Sequence, residues 1–67
     1  MKAEQLVHNA NQIALFFAAY PREEAVAGIA GHMKSFWPAP MRRQFTEYAA
    51  GGGTGLHELA LAAASRV

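Results

Sequence analysis

Leu6-Val7-His8-Asn9-Ala10-Asn11-Gln12-Ile13-Ala14-Leu15-Phe16-Phe17-Ala18-Ala19-Tyr20-Pro21 is the stretch that decides the fold. Leu6, Ala10, Ile13, Phe17 and Tyr20 recur at steps of four, three, four and three, which aligns them on one stripe of a helix. Gln5, His8, Asn11 and Gln12 fall off that stripe. The helix is expected to end near Tyr20, because Pro21 disfavours helical geometry in the residue before it. Pro21 suits the first turn of a second helix, and Glu23 and Glu24 sit in that turn against the positive end of its dipole.

Working outward, the second helix carries Val26, Ile29, Met33 and Phe36 at helical spacing, with Ala25, Gly28 and Gly31 as low ground for close approach. Trp37-Pro38-Ala39-Pro40 ends it in a stiff corner, since both prolines have fixed φ. Pro40 opens a third helix with Met41, Phe45 and Tyr48 on its apolar stripe and Gly51 as its C-terminal cap. After the glycine run 51–53, Thr54 is the expected N-cap of a last helix bearing Leu56, Leu59, Ala60 and Ala63, whose alanine-rich end should fray. The expectation is an all-α fold: one small domain over residues 1–67, built from three to four short helices, with no internal repeat.

Composition narrows the function. Thirty-five of 67 residues are hydrophobic, but 15 of those are alanine, leaving 20 large apolar or aromatic side chains. Only 11 residues are charged, 16% against about 25% in an ordinary soluble domain. That hydrophobicity with a net charge of +1 is not the composition of a disordered chain. Lack of cysteine excludes disulfides, thiolate zinc or iron–sulfur ligation, and a thiol nucleophile. The longest apolar run, Ile13 to Tyr20, is eight residues where a bilayer needs about 20, so no membrane span is expected.

Candidate chemistry is thin. His8, His32 and His57 fall on three different helices at spacings of 24 and 25 residues, with no close acidic or cysteine partner that would complete a metal site, so none is expected. His32, beside its helix's stripe, reads as an interface or buried hydrogen-bonding histidine, and His8 and His57 as solvated. Adjacent Glu23 and Glu24 point about 100° apart and cannot face one another as an acid–base pair. Gly51-Gly52-Gly53-Thr54-Gly55 follows a helix instead of a strand and lacks the lysine of a phosphate loop, so it reads as a helix stop and start. No Ser–His–Asp arrangement is arguable, and no catalytic, cofactor-binding or metal-binding residue is assigned.

What remains is apolar surface without chemistry. With Ile13 at the centre of the first stripe, Phe16 falls about 60° aside and Leu15 about 160° away, so one small core cannot take both. Trp37, between a helix end and a proline corner, anchors either a small core or a partner. A core of this size rarely supplies more than about 3–5 kcal/mol, which makes association the economical remaining source of stability. The residues expected to contact a partner are Leu15, Phe16, Trp37, Met41 and Arg42, with Arg42 reaching a carboxylate or carbonyl.

These residues also fall into an ordered pattern: Ala10-Asn11-Gln12-Ile13-Ala14, Phe16-Phe17, Tyr20-Pro21, Glu24-Ala25-Val26-Ala27-Gly28-Ile29-Ala30, His32, Phe36-Trp37, Pro40-Met41-Arg42 and Gly51-Gly52-Gly53 with Gly55-Leu56. In this, residues 5–60 resemble the small delta subunit of NAD-dependent, molybdenum-containing formate dehydrogenases. The resemblance implies a non-catalytic accessory subunit of a cytoplasmic complex that oxidises formate and reduces NAD⁺. It implies a large alpha subunit holding bis-molybdopterin guanine dinucleotide and iron–sulfur clusters, and beta and gamma subunits holding FMN and further clusters. On that reading the chain docks on the alpha subunit and stabilises the holoenzyme. The alternatives are a transient assembly chaperone for that subunit and an unrelated helical regulatory or nucleic-acid-binding module using Lys34, Arg42 and Arg43. The near-zero net charge argues against nucleic acid.

Overall fold

Proline and glycine divide the chain into four helices, as the sequence predicts. The computed structural model describes residues 1–67: α1 spans Ala3–Phe17, α2 Arg22–Phe36, α3 Ala39–Ala50 and α4 Glu58–Ala63, and a 3₁₀ turn covers Ala64–Arg66. There are no strands. α2 is the central element, packed on α1 along one flank and on α4 along another.

The core consists of Leu6, Ala10 and Ala14 from α1, Ala25, Val26, Ile29, Ala30 and Met33 from α2, Phe45 from α3, and Leu59, Ala60 and Ala63 from α4. Half of these twelve are alanine, so the helices approach closely while burying few large side chains. Phe45, Leu6, Ile29 and Met33 are the largest fully buried groups. No polar or charged side chain is buried among them.

Three boundaries differ from expectation. α1 stops at Phe17, and the Tyr20 N–H closes a tight turn onto the Phe17 carbonyl at 3.0 Å, which leaves Tyr20 half-exposed instead of on the core stripe. α3 ends in a Schellman pattern: the Gly53 N–H bonds the Tyr48 carbonyl and the Gly52 N–H bonds that of Ala49. The left-handed residue of this cap is therefore Gly52 (φ 118°), whereas Gly51 stays at φ −83°. Gly53 is left-handed too (φ 63°) and buried under Leu56 and Leu61.

The third difference lies at α4. Its N-cap is His57, whose Nδ1 accepts the Leu59 N–H at 3.0 Å, and not Thr54, whose carbonyl instead accepts the Tyr48 hydroxyl. Leu56 precedes the helix. Asn11 of α1 staples this entry from a distance, donating to the Gly55 carbonyl at 2.9 Å and accepting the His57 N–H at 2.7 Å. The alanine-rich end does not fray: Ala60 and Ala63 are fully buried, and the chain tightens into the 3₁₀ turn, where Arg66 meets Glu23 at 2.8 Å.

Candidate functional site: an uncharged aromatic face

The aromatic side chains the core does not use gather on the outer side of α1 and α2. Phe17 ends α1 half-buried, with its ring resting on Gly28 of α2 so closely that a Cβ there would sit 2.5 Å from it. The absence of a side chain at Gly28 lets the two helices meet at this point. Phe16 stands edge-on to Phe17 at 5.1 Å between ring centroids, and Tyr20 tilts against Phe17 from the other side at 5.7 Å. Across the groove, His32 lies 4.8 Å from the ring of Phe36. The groove is lined by Gln12, Ile13, Phe16, Phe17 and His32, with no Asp, Glu, Lys or Arg among them.

Exposure separates the expected partner-contacting residues into two groups. Leu15 and Phe16 are 60% and 71% exposed; helical geometry requires this of Leu15, about 160° from the stripe, while Phe16 is left out because nothing packs over its side of α1. Trp37, Met41 and Arg42 are partly buried at the α2–α3 corner. Trp37 sets its ring edge-on to Phe45 at 5.6 Å and packs, with Met41, against the core, so this pair closes the corner first and offers a partner only its remaining edge. Arg42 pairs with no acid, and its Nε is shielded from solvent without a hydrogen-bond partner. The structure thus does not assemble the five residues into one cluster of free surface.

Two side chains that the helical pattern assigns elsewhere belong to the aromatic face. Phe36 fits the core stripe of α2 by spacing, yet it is 73% exposed, because it is the last residue of its helix and the core ends a turn earlier at Met33. Of the two placements expected for His32, the buried, hydrogen-bonded one does not hold, because the ring is exposed and tilted against Phe36. The available sequence signal was Gly28 and Gly31, which mark where α2 presents low ground beside its stripe.

Other candidate sites resolve into structure. No group of three or more His, Cys, Asp or Glu side chains stands close enough to hold a metal ion. The glycine loop spends the N–H groups of Gly51, Gly52 and Gly53 on helix carbonyls, leaving no cradle for phosphate. Glu23 is committed to Arg66, and Arg22 pairs with Glu58, both on the exposed α2–α4 side. No helix is long and apolar enough to cross a membrane.

A family model, that of the NADH-dependent formate dehydrogenase delta subunit FdsD, matches residues 5–64. The chain belongs to this delta-subunit family. No curated protein and no solved structure matches it. In this delta-subunit chain, residues 5–64 take in all of the core and the whole aromatic face, from Leu6 to Ala63.

Proposed function

We propose that this chain is a non-catalytic accessory subunit of an NAD-dependent formate dehydrogenase in the cytoplasm, docking on the large alpha subunit and stabilising the holoenzyme. Family membership supports its place in such an enzyme. The observation that carries the docking role is the exposure of Phe16 and Phe36, each more than two-thirds open to water in a chain with few charges to offset them. In this reading the partner subunits hold the bis-molybdopterin guanine dinucleotide, the iron–sulfur clusters and the FMN, and the chain supplies no ligand to them. Its contacts are drawn from Leu15, Phe16, Trp37, Met41 and Arg42, with the guanidinium of Arg42, which pairs with no acid of this chain, reaching a carboxylate or carbonyl of the alpha subunit.

Co-purification of the complex with the chain carrying Trp37→Ala and Arg42→Glu tests the corner contacts. Loss of the chain from the complex is expected, and a complex that stays intact removes Trp37 and Arg42 from the interface. Stoichiometry in the purified active enzyme tests permanence: one delta chain per alpha subunit fits a subunit, and its absence from active enzyme fits a chaperone.

A further inference from the structure

We propose that the α1–α2 groove lined by Ile13, Phe16, Phe17 and His32, extended by Phe36 beside His32, is the docking site, and that its occupant is an uncharged apolar segment of the alpha subunit; this rests on the accessory-subunit reading above. The first argument is charge. No Asp, Glu, Lys or Arg lines the groove, and the chain's two ion pairs both lie on the α2–α4 side. A charged segment pressed against Phe16 and Phe36 loses water and finds no opposite charge to compensate, so an apolar segment is what the lining accepts.

The second argument is area. Phe16 and Phe36 are 71% and 73% exposed. An aromatic side chain buries roughly 150–250 Å², so together with the edges of Ile13 and Phe17 the face offers on the order of 300–400 Å² of apolar surface. A stable dimer needs about 800 Å² on each partner. Two copies meeting on this face alone fall well short, whereas a segment of a much larger subunit can seat here as the apolar centre of a wider contact.

The shape gives the third argument. Gly28 is filled by the Phe17 ring, but a Cβ at Gly31 would meet no atom within 4 Å, so the surface beside His32 stays open for the incoming segment. Phe16 lines the groove from α1 and His32 from α2, and the exposed ring of Phe36 lies against His32, so a segment seated in the groove and running on past His32 meets both phenylalanines.

The test is co-expression of the tagged full-length chain with the alpha, beta and gamma subunits, followed by pull-down. Phe16→Glu with Phe36→Glu is expected to weaken binding of the alpha subunit by about 30-fold or more, the effect of losing a central aromatic anchor. Phe16→Leu with Phe36→Leu keeps binding, and so does Glu47→Gln on the exposed face of α3. Undiminished recovery with the double glutamate variant overturns the groove while leaving the accessory-subunit reading standing. Failure of the wild-type chain to bring down the alpha subunit overturns that reading and the groove with it.

Because the chain has no cysteine, a single Phe16→Cys gives a second measurement, at one defined thiol of this chain and with no charge placed in the face. Its alkylation is expected to slow at least ten-fold in the assembled complex relative to the free chain. Equal rates overturn the proposal. So does a wild-type dimer in sedimentation that the double glutamate variant splits while the alpha subunit is still recovered, since the face would then serve a second copy.

Discussion

The α2–α4 side and the α1–α2 side of this molecule use the same few residue types to opposite ends. Where α2 meets α4 and the turn after it, Ala25, Ala60 and Ala63 are fully buried and Ala30 nearly so, and ion pairs from Arg22 to Glu58 and Glu23 to Arg66 tie the rim. On the outer side of α1 and α2, alanine gives way to aromatic rings, no charge lines the groove, and Phe16 and Phe36 face water. In a chain with only 20 large apolar side chains, placing several of them outside the core takes them from its own stability. The difference is one of composition: small side chains let α2 and α4 approach closely inside, and the large rings left over outside are the surface on which the proposed docking rests.

The largest expected effect tests the economical interior. Phe45 is the bulkiest fully buried side chain and the edge-on partner of Trp37, so Phe45→Ala removes both the anchor of α3 and the support of the corner. Truncations of this kind cost about 3–5 kcal/mol. A core this small supplies little more than that in total. Circular dichroism of the isolated variant is therefore expected to show an unfolded chain, with helicity regained only where the other subunits bind and stabilise the folded form. A variant that stays folded alone, with its urea midpoint near that of the wild type, breaks the contrast.

The second effect is smaller and belongs to the loop that seals α3 to α4. Gly53 sits at φ 63°, and a Cβ there would lie 2.6 Å from Leu61 Cδ1 and 3.2 Å from Leu56 Cδ1. A left-handed non-glycine residue costs roughly 1–2 kcal/mol. The two leucine tips can move aside, since Leu61 is partly exposed, so backbone strain dominates. Gly53→Ala is expected to lower stability by about 1–2 kcal/mol in urea unfolding. A neutral result means that the loop is not held in this geometry.

Helix number, helix class and the exposure of Leu15 follow from local sequence, because Pro21, Pro38, Pro40 and the glycine run act on the backbone where they stand. The start of α4 does not follow. Thr54 is the better N-cap by residue type, but Asn11 reaches across from α1 to hold the Gly55 carbonyl and the His57 N–H, and no local pattern reveals a partner 44 to 46 residues away. Phe36 and His32 escaped for a related reason: periodicity says which side of a helix a residue faces, but not whether another element extends far enough to cover it. The Trp37 corner was legible as an anchor point, while its choice of Phe45 over a partner depended on the crossing of α2 and α3.

The smallest expected effect bears hardest on the aromatic face. If Phe16 and Phe36 serve only a partner, truncating them costs the isolated chain almost nothing, since their rings already stand in water and make contact chiefly with Phe17 and His32. Phe16→Ser and Phe36→Ser are each expected to change the unfolding free energy by no more than about 0.5 kcal/mol, the usual range for exposed positions. Loss of the edge-on contact with Phe17 sets the upper bound for Phe16, because such pairs contribute about 0.5–1.5 kcal/mol when well packed and less when one ring is solvated. A drop beyond that bound in urea unfolding makes the face part of the fold, holding Phe17 down on Gly28, and returns its rings to the stability of the chain instead of its associations.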